Sequence, residues 1–263
     1  MLLACSMAYA QSSSLLMGGR TMGLGYSSAT LNDEWSLMNN VAGLSGVENL
    51  SASFAFHSYP GFKPFNRSAL IINAPVKKGA AAFGIFRFGD EIYREQVASI
   101  GYSNKFGLAS LGVKINFVQY AAEGFGSTGV LTFNFGGIAH LTDELLIGAY
   151  VTNINQPEIT SVGEKKFMPT RMNLGIAFNP SEKIMLAAEA EHDLDHETLF
   201  KGGFEYRFQK KFVGRTGFNI NPDAGFLGLG FTPKRFHLDY AFQYNIQIGM
   251  SHQLSITYNL AIK

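Results

Sequence analysis

The densest collection of groups able to hold a metal or move a proton is Glu189-Ala190-Glu191-His192-Asp193-Leu194-Asp195-His196-Glu197. His192 and His196 stand four apart, a spacing that puts two imidazoles on one face of a helix for zinc. The segment instead reads as a strand running into an outer loop, and no Glu directly follows His192. A solvated acidic loop with no metal is expected, weak binding of a divalent cation being the alternative. Two further pairs share a face of an extended chain, where alternate side chains point the same way: His237 with Asp239, and Glu205 with Arg207. A histidine steadied by a carboxylate can activate a serine nucleophile. The chain has no Gly-x-Ser-x-Gly elbow and singles out no serine. These pairs are read as ion-paired packing. Neither enzymatic activity nor a cofactor is expected, and a hydrolase built on His237 is the least favoured reading. Gly18, Gly19, Gly23 and Gly25 crowd one short stretch, but no Lys-Ser or Lys-Thr follows to make a phosphate loop.

The elements that must position these groups are strands. In Phe236–Asn245, Phe236, Leu238, Tyr240, Phe242 and Tyr244 occupy one face, and His237, Asp239, Ala241, Gln243 and Asn245 the other. A soluble antiparallel sheet alternates in the same way. The length of this run, roughly that of a tilted strand crossing hydrocarbon, and the aromatic residues towards both its ends favour a membrane. With 23 Phe, 11 Tyr, 29 Gly and only 16% charged residues, the composition suits a β-barrel. The net charge of +1 gives no basic field for nucleic acid, and no apolar run is long enough for a transmembrane helix.

Strand-length runs separated by turn residues fall near 49–58, 67–75, 79–89, 93–104, 107–120, 127–139, 143–154, 169–179, 182–192, 198–209, 211–221, 224–232, 234–245 and 250–262. About fourteen strands are predicted, an even number. The links between them alternate between short ones, such as 75–79 and 209–211, and mostly longer ones, such as 58–67, 121–127, 154–168 and 192–198. This sorting matches a barrel with short periplasmic turns and longer outer loops, and favours it over a soluble sandwich. Charges within strands must then face inward, and Lys114, Arg171, Glu189, Glu191, Lys201, Glu205, Arg207, Arg215, His237 and Asp239 fit that phase as lumen-lining or plug-contacting residues.

Residues 1–10 read as a signal peptide, shortened at its positive end, with Ala8-Tyr9-Ala10 before Gln11 as the cleavage site. Cys5, the single cysteine, can form no intrachain disulfide, and Leu2-Leu3-Ala4-Cys5 only loosely mimics a lipoprotein box. Residues 11–47 form an expected plug: a flexible Gly-rich stretch over Leu15–Tyr26, then a short helix within Asp33–Val47, capped by Asn32 or Asp33 and ended by Gly43 or Gly46. Residues 48–263 are the expected barrel.

Three segments carry a resemblance. Residues 18–44 run Gly-Gly-Arg-Thr-Met-Gly-Leu-Gly, then Asn32-Asp33-Glu34-Trp35, then Asn39-Asn40-Val41-Ala42-Gly43-Leu44. Met168 to Phe178, and Leu238 to Phe242 followed by His252-Gln253-Leu254-Ser255, add to it. In this order they resemble the PorV/PorQ group of FadL-like outer-membrane proteins, with Gly19, Arg20, Gly23, Gly25, Asp33, Asn40 and Gly43 as the plug motif. Val41 stands where that group has Pro, and Leu24 where it has Met. The resemblance implies a fourteen-stranded barrel with an N-terminal plug in the outer membrane of a Gram-negative, Bacteroidetes-like bacterium. It also implies partners besides outer-membrane lipid: a large translocon barrel of type IX secretion, or secreted proteins. An accessory role in that secretion is the first functional expectation. A FadL-like conduit for small hydrophobic compounds is the alternative, favoured by a gap in the wall near Gly84 or Gly89 and sunk by a sealed wall around a fully packed interior.

Overall fold

A computed structural model describes residues 14–161, 164–193 and 196–260. The expected signal peptide, and Leu194 and Asp195 of the acidic loop, lie outside the described residues. Alternating apolar and polar residues give β1 (Ser51–Ser58), β2 (Arg67–Val76), β3 (Gly79–Gly89), β4 (Tyr93–Phe106), β5 (Ala109–Ala122), β6 (Gly126–His140), β7 (Leu145–Thr152), β8 (Glu158–Ser161) and β9 (Glu164–Phe167). They continue as β10 (Arg171–Ser181), β11 (Ile184–Asp193), β12 (His196–Gln209), β13 (Phe212–Ile220), β14 (Ala224–Phe231), β15 (Phe236–Asn245) and β16 (Gly249–Asn259). The small β8–β9 hairpin is an excursion within the longest loop, and the sequence pattern misses it. The other strands form one closed antiparallel barrel, with β7 pairing β10 and β1 closing onto β16, Ser51 opposite Asn259.

Closure follows from the solvent. Hydrocarbon satisfies no peptide N–H or C=O, so a sheet within it cannot leave an edge. The outward face carries Phe54, Phe83, Ile85, Ile115, Phe133, Leu174, Ile176, Leu227 and Leu254, all exposed on the isolated chain. An apolar exterior this continuous exceeds any patch a soluble monomer tolerates, so the barrel is transmembrane. Ser53, Asn116, Asn173, Lys201, Arg215 and Asp239 face inward and are buried.

The two rims differ less than the sequence suggests. Strands β5, β6, β11 and β12 extend beyond their apolar alternation, so the expected loops 121–127 and 192–198 shrink to tight connections. The asymmetry comes from the loops 59–66 and 153–170 alone. The wall is also closed at Gly84 and Gly89, where a gap would favour the conduit. Gly84 pairs with Ile71 and Ser99, and Gly89 pairs with Arg94, in unbroken registers. The missing side chain at Gly84 makes room for Leu37 and Met38 from inside and leaves no opening.

The N-terminal segment runs down the interior with Ser14 against Arg67 near the long-loop rim and Val47 at the short-turn rim. Its helices are placed differently from expectation. A five-residue α-helix, Gly19–Gly23, lies inside the Gly-rich stretch that reads as flexible, and the second piece is a 3-10 helix confined to Val41–Gly46. Its cap is Asn40, whose side chain accepts from Ala42 N–H; neither Asn32 nor Asp33 caps it. Asp33 instead accepts from the Trp35 amide and from Arg20, so residues 33–39 turn rather than coil.

Ile176 sits mid-strand on the lipid side of β10. Ile176→Lys should lower folding free energy into vesicles by about 2–4 kcal/mol, the cost of a basic residue near the bilayer midplane. A denaturant titration of refolded protein checks it.

Candidate functional site

The site is the lumen and the N-terminal segment that fills it. The fit begins with glycine. Gly84, Gly101, Gly112, Gly136, Gly148, Gly175, Gly203, Gly217 and Gly228 all face inward at mid-height, on β3 to β7, β10 and β12 to β14. Three pairs of them are direct cross-strand partners: Gly112 with Gly136, Gly148 with Gly175, and Gly203 with Gly217. This belt lets the plug's backbone lie against the wall. A Cβ would strike Ala42 from Gly112, Ala29 from Gly148, and Leu24 and Gly25 from Gly217. Gly25 has a left-handed φ of 64°, and a side chain at Gly43 would collide with the Leu31 carbonyl, so both plug-motif glycines are structural requirements.

One half of the lumen is held mainly by apolar contacts. Trp35, Leu37, Met38, Val41 and Leu44 of the plug pack against Ala55, Ile71, Ala82, Phe86, Val97 and Val118 on β1 to β5. Lys114 intrudes there, buried, with Nζ donating to the Leu37 carbonyl at 2.9 Å and no acidic partner among the described residues.

The other half is ionic, in two tiers. Towards the short turns, Glu205 accepts from Arg20 at 2.9 and 3.1 Å and from Arg215 at 2.6 Å. Arg215 also donates to Asp239, and Arg20 to Asp33 at 3.3 Å. Gly19 and Gly23 press on Asp239 and Gly228 beside this cluster. Towards the long loops, Lys201 bridges Glu189 at 2.8 Å and Glu191 at 2.7 Å. The second Glu189 oxygen accepts the Ser28 and Ala29 amides of the plug, each at 2.7 Å. Arg171 reaches Asp193 at 3.4 Å and Glu191 at 4.0 Å. Asn40 knits the plug to itself and to the wall, donating to the Ala29 carbonyl at 2.6 Å and the Gly137 carbonyl at 3.2 Å.

The lumen charges are thus inside, but not in the pairs read from the sequence. Glu205 pairs across strands with Arg215, its register partner, and not with Arg207. Asp239 takes Arg215, while His237 Nδ1 lies 3.0 Å from Glu34 of the plug. Residues two apart on one strand are separated by about 7 Å, whereas direct cross-strand partners lie about 5 Å apart. Arg207 is left at the short-turn mouth with no ion pair among the described residues. Burial acts to raise the Glu34 carboxyl, but the hydrogen bond and charge of His237 outweigh it and hold Glu34 below the usual carboxylate range.

The acidic loop assembles no metal site among the described residues. Glu189 faces the lumen, while His192 faces outward beside Thr198. Sequence reading missed Glu34, Tyr150 (which donates to Glu189 at 3.3 Å) and the glycine belt. Glycine recurring at inward mid-strand positions was the signal available for the last.

The packing leaves several spaces. A recess of about 770 Å³ opens at the long-loop rim, lined by Phe65, Arg67, Phe88, Arg171, Glu191 and Asp193. Ser14, Arg171 and Glu191 also border an inner cavity of about 60 Å³ with Leu15, Met38, Lys114, Val118 and Met168 on its walls. A third space, of about 270 Å³, opens at the short turns around Arg20, Asp33, Glu34, Arg215 and His237.

Similar architectures occur among solved structures. The Ralstonia pickettii toluene transporter TbuX superposes with a TM-score of 0.72 at 12% identity, over 95% of this chain and 100% of that one. The Pseudomonas putida toluene transporter TodX gives 0.65 at 14%, over 94% and 98%. A Pseudomonas aeruginosa FadL homologue gives 0.58 at 13%, over 92% and 98%. The chain has a FadL-like fold. No protein-family model and no curated protein matches it. At these identities the likeness is one of fold, and the PorV/PorQ resemblance has no counterpart among these structures.

Two outcomes test the FadL-like lumen. Glu205→Ala leaves Arg20 and Arg215 without their shared carboxylate and should cost about 3–5 kcal/mol, the typical result of orphaning a buried charge, read by denaturant unfolding. Gly148→Val should expel the plug while the barrel still forms. Planar-bilayer recordings should then show a persistent open conductance absent from the wild type, and an unchanged closed baseline would contradict the belt's role.

Proposed function

We propose that the protein is a non-enzymatic outer-membrane barrel that admits small hydrophobic compounds. The observation that carries this is the adjoining pair of spaces on the long-loop side. An aromatic-edged recess at Phe65 and Phe88 shares Ser14, Arg171 and Glu191 with an inner cavity whose wall sets Leu15, Met38, Val118 and Met168 among polar groups such as Glu95, Lys114 and Asn134. The interior is stoppered but not solid. Below that cavity Asn39 closes the path, donating to the Met17 carbonyl at 3.1 Å and to the Thr21 hydroxyl at 2.8 Å. Passage to the short-turn space therefore requires the N-terminal segment to shift, since the wall beside it is hydrogen-bonded throughout. The FadL-like fold shared with two toluene transporters and a FadL homologue supports the same reading.

An accessory role in type IX secretion, with a translocon barrel or secreted proteins as partners, rests on the resemblance of residues 18–44 to the PorV/PorQ group. Gly25, Asn40 and Gly43 of that motif are accounted for by the seating of the plug, which any barrel of this design needs. The conduit reading is accordingly placed first.

Uptake of radiolabelled toluene should rise several-fold in Gram-negative cells producing the protein, with no rise for a hydrophilic sugar of similar size. Asn39→Ala, which loosens the stopper, should raise it further. Toluene uptake equal to that of cells without the protein, for both forms, would refute the conduit.

A further inference from the structure

Every outward position on the barrel strands is uncharged among the described residues, with two exceptions: Arg87 on β3 and Arg94 on β4. The two are not scattered. Arg94 stands opposite Gly89 and Arg87 opposite Gln96, so the guanidinium groups are diagonal neighbours on one patch of the outer wall. Gly89 has a φ of 98°, and a side chain there would strike the Tyr93 carbonyl, so the two strands meet closely beside Arg94. Gln96 is in turn opposite Gln119 of β5, which extends the polar patch by one strand. Both arginines are exposed, and neither makes an ion pair among the described residues. The acids above them are otherwise arranged: the Asp90 carboxylate accepts the Ile92 and Tyr93 amides, and Glu91 and Glu123 are exposed on the loops.

A basic side chain on the lipid face is costly at mid-depth and tolerable only at the level of the headgroups. Arg87 is two residues from the end of β3 and Arg94 one from the start of β4, both at the long-loop rim. Below them the same strands turn apolar, β3 at Ile85 and β4 past Gln96 at Ala98 and Ile100. Two unpaired guanidinium groups over an apolar wall match an amphiphile with an anionic head and acyl chains. Guanidinium forks bind phosphate oxygens in a bidentate manner, in a way a diffuse charge cannot.

We propose that Arg87 and Arg94 form a docking site for a phosphorylated glycolipid of the outer leaflet, with a phosphate between the guanidinium groups and acyl chains lying along Ile85 and Ile100. This rests on the outer-membrane reading above and not on the conduit.

The test uses native mass spectrometry of the detergent-purified full chain mixed with bis-phosphorylated lipid A, with its dephosphorylated form, or with lipid A plus millimolar inorganic phosphate. Wild-type protein should retain lipid A, the dephosphorylated lipid should bind at least tenfold more weakly, and inorganic phosphate should not displace the lipid. Arg87→Ala with Arg94→Ala should weaken lipid A binding at least tenfold, and Arg87→Lys with Arg94→Lys should restore only part of it. Because both side chains point away from the lumen, the variants should keep wild-type toluene uptake and the heat-dependent gel mobility of a folded barrel. Equal retention by wild type and double-alanine variant, equal retention of the dephosphorylated lipid, or displacement by inorganic phosphate would each overturn the proposal. Failure of the folded protein to insert into phosphatidylcholine vesicles would instead overturn the membrane reading beneath it.

Discussion

Lipid offers a peptide group no hydrogen bond, and the rest of this molecule follows from that deficiency. The sheet must close, because an edge within hydrocarbon would leave a row of unpaired donors and acceptors. Closing fourteen strands encloses a lumen too wide for the wall's own side chains to fill. The chain fills it with residues 14–47, and the fit is achieved by removing side chains from the wall. Glycine at mid-height on successive strands lets backbone meet backbone, so the plug's own polar groups come within reach of Ser103, Ser255 and Glu189.

Inside, two different forces hold the stopper. On β1 to β5 the contacts are mostly apolar, with single hydrogen bonds from Asn73, Ser103 and Lys114 to plug carbonyls. On β11 to β15 they are charge-assisted, and each depends on a partner from another strand or from the plug. Burying so many ions is costly, and such clusters add little net stability over an apolar core. What they supply is register. Arg20 is held at one height by Glu205, and the Ser28–Ala29 amides at another by Glu189, so the segment cannot slide along the barrel axis without stranding buried charge.

Much of the wall was legible in the sequence because a lipid-facing strand has a rule with period two and few exceptions. Met172, Leu174, Ile176 and Phe178 announce β10 by themselves, and all fourteen barrel strands lie where alternation puts them. Strand ends were less legible, since ladder hydrogen bonds carry β5 and β12 past the last alternating residue. Inward charge could be assigned from phase alone, but partners could not. Glu205 and Arg207 look paired along the chain, yet the partner that matters, Arg215, is set by register, which no single strand encodes. The plug was the least legible part. Its glycines read as flexibility when taken locally, whereas the wall they touch makes them a close-packed turn of helix at Gly19–Gly23. Val41, where the resembling group has Pro, sits in the first helical position after its Asn40 cap; there the N–H has no partner within the helix, and either residue serves.

The division of the lumen also constrains how a sealed barrel could ever pass a molecule. A displacement on the β11–β15 side must break ion pairs shared among Arg20, Glu205, Arg215 and Asp239, and each rupture leaves a charge without compensation in a poorly hydrated space. On the β1–β5 side, Leu37, Met38 and Leu44 can slip against Ile71 and Val118 and exchange one apolar neighbour for another. The inner cavity lies between the two sides, with Met38 and Val118 on one wall, Arg171 and Glu191 on the other, and Lys114 holding the Leu37 carbonyl by a single hydrogen bond. The N-terminal segment is therefore pinned along one side and free to yield along the other, and a solute that reached the inner cavity could make room only by moving the segment towards the yielding side.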